Sequence, residues 1–389
     1  MPSAVGSPGF RRRFFTYLVQ DAFNYVSARD HEHPYPERLK RDGWVGQVMS
    51  AARGRAANGL RRVAHRATVR RRAPWVERAA RELVATAEHL EELEAAYEAL
   101  ADEPSRELFV KLLEWRILGP RRVRLPVSPD YYREGLERID RELVRERGTR
   151  RVSDPYFPEL NRYKVGLEDR ELTVETDETC MLNTFTLHQY SYEQDHVAVR
   201  AERGDVVLDG GGGYGETALY FATSVGLEGE VLCLEMDPRN RRAIQRNREL
   251  NPELAARIRV VEAALWESSG VTLDYVAGGK MSRVVEGAVA EGGAIETTTL
   301  DELVERNGLR RVNFLKLDVE GSELAVLRGA TQTLRDHRPR LAIAVYHDAR
   351  DIWEIPLYLH GLGLGYRLFL DHTSAGMDET VLFASVEQA

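Results

Sequence analysis

The chain has 389 residues, 43% of them apolar, and a formal net charge of −8. This length suits two or three domains, and this composition is enough to fill hydrophobic cores, so the sequence predicts a soluble globular protein. It has no run of about 18 apolar residues that would suit a membrane helix, and the N-terminal residues lack the apolar stretch of a secretory signal.

Cysteine usage and charge distribution add two expectations. Cys180 and Cys233 are too few for a disulfide framework, so both are expected to be reduced thiols of a cytoplasmic protein. Residues 1–150 carry 29 Lys+Arg and 22 Asp+Glu, against 25 and 40 in the remainder. This asymmetry predicts two parts with different purposes.

The first part of the chain has the pattern of helices. Apolar residues at three-to-four spacing predict helices over Pro74–Leu100, Pro104–Leu118 and Ser128–Gly148. In the last of these, Ser128 suits the N-cap and Gly148 the terminating position.

Three regions follow from these patterns. Residues 1–150 are predicted to form a helical N-terminal domain, and residues 151–202 a connecting segment with a strand at Glu171–Thr176. Residues 203–389 are predicted to form the domain that carries the function.

An arginine-rich segment, residues 53–72, allows three interpretations. Arginines could neutralise nucleic-acid phosphates, contact an anionic lipid or glycan surface, or form a solvated helix face. Few aromatic residues accompany these arginines, so base stacking is not indicated and no nucleic-acid partner is expected. Contact of the basic N-terminal half with an anionic surface, and a homodimer, are left open.

The last part of the chain alternates short apolar, β-branched runs with helical stretches. The predicted strands are Asp205–Asp209, Glu230–Glu235, Arg257–Val261, Val312–Asp318, Arg340–Tyr346, Tyr366–Leu370 and Thr380–Ser385. Helices between the first six indicate a doubly wound parallel sheet, with functional residues just after the strand ends. Only about ten turn-like residues separate the last two strands, so these should form an antiparallel hairpin.

A glycine-rich loop follows the first of these strands in "DGGGGYGET". Gly210, Gly212 and Gly215 satisfy G-x-G-x-x-G between a strand and a helix, and Glu235 ends the next strand. The pattern suits NAD, S-adenosylmethionine or a turn without ligand. Asp209 would repel a pyrophosphate but favour the ammonium and sulfonium charges of S-adenosylmethionine, so it favours the methyl donor.

Several blocks together resemble the FkbM family of S-adenosylmethionine-dependent methyltransferases, over roughly Thr184 to the C-terminus. They include "DVVLDGGGGYGETALYFA", "TTTLDEL" and "VNFLKLDVEGSELAVLRGA". The helical first half resembles the N-terminal extension of members associated with glycan biosynthesis. The resemblance implies a class I methyltransferase: a Rossmann-like seven-stranded sheet with an antiparallel terminal hairpin. It also implies O-methylation of a hydroxyl on a sugar, glycan or related natural product.

Cofactor contacts are expected along the strand ends. The residues assigned to S-adenosylmethionine are Asp209, Gly210, Gly212, Gly215, Glu216, Thr217, Glu235, Ala264 and Gln189. Glu216 and Thr217 should lie near the aminocarboxylate, Glu235 at the ribose hydroxyls, and Ala263 and Ala264 at the adenine edge. Asn247 and Asn251 are interpreted as helix-end caps.

Methyl transfer from a sulfonium is an in-line displacement, so a group that removes the hydroxyl proton should follow a strand. Asp318, Glu320 and His347 are the candidates, with His372 as a further strand-end histidine. Lys316 should share the face of Asp318 and could pair with a carboxylate or orient the acceptor. Structural alternatives stay open: a helix cap for Asp318, a helix first turn for Glu320, and packing for the histidines.

Metal dependence and catalysis itself are also left open. A divalent cation held by carboxylates would lower the pKa of the acceptor hydroxyl, and Asp318, Glu320 and Asp348 are the oxygen ligands to consider. No cysteine or histidine cluster calls for zinc. The alternative function is a non-catalytic or nucleic-acid- or anionic-surface-binding module that retains the methyltransferase fold.

Overall fold

The structure is a computed structural model that describes residues 9–23, 74–150, 160–194, 196–276, 278, 281–285 and 293–386. The chain divides into two compact units: Met1–Ser128 with Ala375–Met377, and Pro129–Ser374 with Asp378–Ala389. The arginine-rich segment 53–72 lies outside the described residues. In the described part of the chain, no helix is long and apolar enough to cross a membrane.

The first unit is helical where it is described, as predicted. Its helices are α1 (Phe10–Phe23), α2 (Pro74–Glu88), α3 (Leu90–Ala99) and α4 (Glu103–Leu118). The predicted helix Pro74–Leu100 is therefore two helices, which meet at His89. Asp102 caps α4 by accepting a hydrogen bond from the Ser105 N–H at 2.9 Å.

An aromatic cluster forms the core of this unit. The ring of Phe10 stacks on Phe14 at a centroid distance of 5.6 Å. It also meets Tyr97 at 5.3 Å and Phe109 at 6.0 Å. All four side chains are buried, so they join α1, α3 and α4 through apolar contact.

The second unit starts with α5 (Pro129–Glu142), and here the predicted helix Ser128–Gly148 is too long. The residues after α5 form β1 (Val144–Arg150), which pairs antiparallel with β2 (Leu160–Leu167). The local pattern favours a helix, but the neighbouring strand provides hydrogen bonds and an ion pair between Arg162 and Glu146 at 2.6 Å. The boundary between the two units falls after Ser128, so α5 belongs to the second unit. There it packs against another helix of that unit.

That helix is α6 (Glu178–Phe185), the next helix in the chain. After β2 come β3 (Arg170–Thr176), α6, β4 (Tyr192–Gln194) and β5 (Val197–Val199). A Cβ on Gly135 in α5 would lie 2.8 Å from Leu182 Cδ1 in α6, so a glycine is needed for this close approach. Strand β3 confirms the predicted strand at Glu171–Thr176.

The remaining elements alternate strands and helices. They are β6 (Val206–Gly210), α7 (Glu216–Val225), β7 (Glu230–Glu235), α8 (Pro238–Leu250), α9 (Pro252–Ala255), β8 (Ile258–Glu262), β9 (Ala264–Leu265), β10 (Thr272–Val276), β11 (Arg283–Val285), β12 (Ala294–Thr298), α10 (Leu300–Arg306), β13 (Phe314–Leu317), α11 (Glu323–Arg328), α12 (Thr331–His337), β14 (Arg340–Ala344), α13 (Asp351–Gly361), β15 (Tyr366–His372) and β16 (Thr380–Val386).

The main sheet of the described residues has seven strands in the order β15-β16-β14-β13-β6-β7-β8. Strands β6, β7, β8, β13 and β14 run parallel, while β16 is antiparallel to both β14 and β15. The predicted doubly wound sheet and its terminal hairpin are confirmed. The chain winds outward from β6 in one direction and from β13 in the other, so a crevice opens after these two central strands.

Two asparagines fasten α8 to the edge of β3. The amide of Asn247 exchanges hydrogen bonds with the backbone N–H and C=O of Glu175 at 2.7 and 2.8 Å, and also donates to the Tyr214 carbonyl at 2.8 Å. The amide of Asn251 accepts a hydrogen bond from the Thr173 N–H at 3.0 Å and donates one to the Thr173 carbonyl at 2.7 Å. One turn of a helix and two residues of a strand span similar lengths. Asn247 can therefore face Glu175 while Asn251 faces Thr173. The predicted capping role is wrong for Asn247, which lies within α8, but confirmed for Asn251, the C-cap of that helix, whose side chain donates to the Asn247 carbonyl at 2.8 Å.

Replacement of Asn247 tests this junction. In Asn247→Ala, three buried backbone groups lose their partners, and the free energy of unfolding should fall by about 3 kcal/mol. Gln245→Ala, on the exposed face of the same helix, should change it by less than about 0.5 kcal/mol. Urea unfolding of both variants measures the difference, and equal stabilities would contradict the assignment.

Candidate active site

Two connected depressions lie at the carboxyl edge of the main sheet. The larger is a cavity of about 320 Å³, lined by residues that include Tyr132, Asn183, Thr184, Gln189, Tyr190, Gly211, Gly213, Glu216, Thr217, Lys316, Asp318, Glu320, Tyr346, His347 and Glu379. The smaller is a slot lined by Gly211, Leu234, Glu235, Met236, Ala263, Leu265, Ser282, Val284, Asp318, Val319, Glu320 and Ser322. Gly211, Asp318 and Glu320 line both, so these residues stand at the junction.

The glycine loop forms one wall of the cavity. The glycines that line the cavity are not the ones selected by the sequence pattern. Gly211, Gly213 and Gly215 have φ angles of +79°, +53° and +95°, in the region that favours glycine. Gly211 and Gly213 line the cavity, whereas the predicted contacts Gly210, Gly212 and Gly215 do not. Gly210 ends β6 and Gly212 lies against Cys233 of β7, so contact of these glycines with the cofactor stays a prediction.

Three glycines of the run, Gly210 to Gly212, each have a steric reason, while Gly213 has its positive φ angle. A Cβ on Gly210 would lie 2.7 Å from Leu317 Cδ2, and one on Gly212 would lie 2.2 Å from Cys233 Sγ. A Cβ on Gly211 would lie 1.8 Å from the carbonyl oxygen of Asp318. The loop after β6 is therefore pressed against β7 and the loop after β13, and no side chain fits between them.

Asp209 and Lys316 form a buried ion pair beneath this loop. They are register partners on β6 and β13, with Nζ 3.2 Å from Asp209 Oδ1. Lys316 also donates to the carbonyls of Gly210 at 3.1 Å and Gly211 at 2.7 Å. Burial opposes the charge of Lys316, but the carboxylates of Asp209 and Asp318 outweigh it, so the pKa of the lysine is raised.

The burial of Asp209 corrects its predicted role. Its side chain is 0% exposed, and it was expected to face the charges of the methyl donor. Its second oxygen accepts a hydrogen bond from the Thr217 hydroxyl at 2.8 Å. Asp209 therefore acts by positioning Lys316, Thr217 and the glycine loop. Glu216 and Thr217 themselves line the cavity at the start of α7, as predicted.

Glu235, which is predicted to contact the ribose hydroxyls, lies in the wall of the slot. Its two oxygens accept hydrogen bonds from the backbone N–H groups of Gly213 at 3.0 Å and Asp237 at 2.8 Å, which fix the carboxylate. Burial raises the pKa of Glu235 to about 7. Of the two predicted adenine neighbours, Ala263 lines the slot, whereas Ala264 belongs to β9 and pairs with Thr297.

Asp318 is held by two tyrosines. The Tyr190 hydroxyl donates to Asp318 Oδ2 at 2.7 Å, and the Tyr346 hydroxyl lies 3.3 Å from both oxygens. Burial alone would raise the pKa of Asp318, but His347, Lys316 and the tyrosine hydroxyls lower it. Asp318 does not cap α11; the buried Glu323 accepts the N–H groups of Val319 and Gly321 instead.

His347 lies among three carboxylates, and this changes its predicted chemistry. Its Nδ1 is 3.0 Å from Glu323, and its Nε2 is 3.5 Å from Asp318 and 3.4 Å from Glu320. Burial lowers the pKa of this histidine, but the carboxylates outweigh burial and raise it to about 10. A histidine with that pKa is protonated at neutral pH, whereas a general base must first be deprotonated, so the role of base expected for His347 stays a prediction.

Two further residues considered from the sequence, Asp348 and His372, lie outside the cavity. Asp348, considered as a metal ligand, accepts hydrogen bonds from the backbone N–H of Arg350 at 2.8 Å and its Nε at 3.1 Å. His372 is buried in the terminal hairpin, with Nδ1 2.8 Å from the Thr380 hydroxyl. Neither residue is among those that line the cavity.

Gln189 lines the cavity as predicted, and its amide donates to Glu379 at the start of β16. Tyr346, Glu323 and Glu379 were not predicted as site residues. The sequence offered a signal for Tyr346, since this residue directly precedes His347 at a strand end. It offered no signal for Glu379, because 190 residues separate this residue from Gln189 in the sequence.

Comparison with known proteins finds a family model that matches this region. The methyltransferase FkbM domain matches residues 199–368. No curated protein sequence matches the chain. The resemblance inferred from the sequence blocks is thereby confirmed for the region that holds the loop, the slot and most of the cavity.

Solved structures are similar at low identity. Methyltransferase FkbM from Methylobacillus flagellatus KT shares 18% identity over 77% of this chain and 60% of its own, with a TM-score of 0.49. Fibrillarin from Aeropyrum pernix, in complex with S-adenosylmethionine, shares 15% over 57% and 93%, with a TM-score of 0.33. The precorrin-6y C5,15-methyltransferase of Geobacter metallireducens GS-15 shares 16% over 49% and 83%, at 0.30. The chain thus spans 60% of the Methylobacillus protein.

Gly211→Ala tests the contact between the two central loops. The added methyl group would collide with the Asp318 carbonyl, so the variant should lose affinity for S-adenosylhomocysteine and unfold at lower urea. Gly308→Ala is the matched control: its φ is +63° but no atom lies within 4 Å of the added Cβ. It should cost only about 1–2 kcal/mol and keep ligand affinity. Calorimetry with unchanged affinity in Gly211→Ala would refute the steric argument.

The pKa of Glu235 predicts how cofactor affinity depends on pH. Ribose hydroxyls donate to the ionised carboxylate, so binding favours ionisation and S-adenosylhomocysteine should bind more weakly as the pH falls through 7. The slope below 7 should approach about tenfold per pH unit. Calorimetry at pH 6, 7 and 8 measures it. Glu235→Gln should bind weakly with little pH dependence; the same slope in this variant would assign the titration to another group.

Proposed function

Because residues 199–368 are a methyltransferase FkbM domain, we propose that the chain is an S-adenosylmethionine-dependent O-methyltransferase acting on a hydroxyl of a sugar, glycan or related natural product. The observation that carries this proposal is the junction at Gly211, Asp318 and Glu320. A cofactor bound in the slot would present its reactive end at this junction, where the acceptor cavity begins.

The residues of the slot suit the adenosine half of the cofactor. Glu235 offers fixed carboxylate oxygens to ribose hydroxyls, and Ala263 and Met236 give an apolar wall for the adenine. Gly211 and Gly213 leave room for close approach to the backbone. The methionine half would then face Glu216 and Thr217, where a carboxylate at the first turn of α7 suits the ammonium group.

Asp318 is the group best placed to orient an acceptor hydroxyl. It is ionised, its side chain is fixed by Tyr190 and Tyr346, and it lines the cavity at the junction. As the oxygen attacks the methyl carbon, its proton becomes strongly acidic, so even a weakly basic carboxylate can take it. The imidazolium of His347 then stabilises the carboxylate rather than competing for the proton.

The lining of the cavity supports a polyhydroxy acceptor. Tyr132, Asn183, Thr184 and Gln189 offer hydrogen-bonding groups, which match hydroxyls better than an apolar ring system. Asp318, Glu320 and Glu379 place negative charge near the junction, so the hydroxyl that is methylated should not carry an adjacent anionic group. An uncharged sugar ring satisfies both conditions.

The non-catalytic module is the alternative, and cofactor binding separates the two hypotheses. Calorimetry with S-adenosylhomocysteine should give one site per chain; absence of binding at millimolar ligand would favour the module. A cytoplasmic location, a homodimer and contact of the basic N-terminal half with an anionic surface stay predictions.

Asp318→Asn tests the catalytic assignment. Loss of the carboxylate should lower methyl transfer about 100-fold or more, while the affinity for S-adenosylhomocysteine changes little. Transfer from radiolabelled S-adenosylmethionine to a panel of oligosaccharides and nucleotide sugars measures turnover. Asp348→Asn, which faces Arg350, should keep wild-type turnover. Full activity of Asp318→Asn on an acceptor found in this panel would overturn the role given to Asp318.

A further inference from the structure

Three side chains at the junction form a potential cation-binding cluster. Asp318, Glu320 and His347 each offer one ligand atom, and these atoms lie within 4.8 Å of one another. The Nε2 atom of His347 is 3.5 Å from Asp318 Oδ1 and 3.4 Å from Glu320 Oε2. A single cation between these three atoms could contact all of them after small side-chain movements.

Glu323 is not a member of this cluster, but its carboxylate holds His347 in place. Its fully buried carboxylate lies 3.0 Å from Nδ1 of His347, which leaves Nε2 turned towards Asp318 and Glu320. The same carboxylate accepts the N–H groups of Val319 and Gly321, on either side of Glu320. Histidine ligands of metal ions commonly have their second ring nitrogen held by such a carboxylate.

Asp318 is oriented in a way that suits a ligand as well. Tyr190 donates to Oδ2, so Oδ1 is the oxygen that faces His347. Two of the three side chains, Asp318 and Glu320, also line both the cavity and the slot. The cluster is therefore open on the side where cofactor and acceptor would meet, as three-ligand catalytic metal sites are.

We propose that Asp318, Glu320 and His347 bind one divalent cation, which displaces the Nε2 proton of His347 to solvent while Nδ1 stays paired with Glu323. Two carboxylates and one imidazole are a hard, mixed oxygen and nitrogen set, which suits Mn²⁺ or Mg²⁺ and contains no sulfur. The open positions of the cation would take water or the acceptor oxygen and lower the pKa of the hydroxyl. This last step rests on the proposed methyltransferase function, whereas cation binding itself does not.

Mn²⁺ binding to the chelator-treated full chain tests the proposal. Calorimetry, with the electron paramagnetic resonance signal of free Mn²⁺ as a second readout, should show one site per chain. Glu320→Gly and His347→Gln should each weaken binding by at least about tenfold. Glu320 has a φ of +57°, which glycine adopts readily, so Glu320→Gly should fold normally and isolate the loss of the ligand.

Asp348→Asn is the control, since it removes a carboxylate next to His347 in sequence that faces Arg350, and Mn²⁺ binding should be unchanged. Absence of Mn²⁺ binding by the wild type at millimolar concentration, or wild-type affinity in both ligand variants, overturns the cation site. S-adenosylhomocysteine binding is measured on the same samples. Ligand binding without Mn²⁺ binding overturns the cation site alone, and Mn²⁺ binding without ligand binding supports the cation site while overturning the proposed function.

Discussion

The buried ion pair between Lys316 and Asp209 is the interaction on which the rest of the site depends. The two residues are direct partners on the central strands β6 and β13, and their side chains are 1% and 0% exposed. Burying two charges is costly, and the cost is offset only when other hydrogen bonds complete the arrangement. Here Nζ also bonds the carbonyls of Gly210 and Gly211, so the pair fixes the position of the loop.

The same pair connects the two ends of the site. Nζ of Lys316 lies 5.3 Å from the centroid of the Tyr190 ring, whose hydroxyl holds Asp318. Thr217 bonds the other oxygen of Asp209 at the start of α7. One buried ammonium therefore sets the glycine loop, the first turn of the helix and the orientation of the proposed catalytic carboxylate. The reversal of strand order between β6 and β13 makes this possible, because it brings both following loops to one crevice.

Local sequence patterns were enough to predict the helices and strands. They were not enough to predict which glycines of the loop line the cavity. The strand Glu230–Glu235 has the predicted bounds, since its apolar run and flanking turns leave no other choice. The G-x-G-x-x-G pattern located the loop but selected Gly210 and Gly212, while Gly211 and Gly213 line the cavity. Pattern matching counts residues, whereas the conformation depends on which positions take a positive φ angle.

The sequence by itself determined the order of strands and helices, the antiparallel hairpin and the strand ends at which chemistry is placed. It did so because apolar periodicity and turn residues are local properties. The tertiary structure decided why Gly210, Gly211 and Gly212 are glycine, since Leu317, Asp318 and Cys233 press on them from other strands and their loops. It also decided the surroundings of His347, because the carboxylates that raise its pKa follow the adjacent strand β13 and meet the histidine only when the sheet forms.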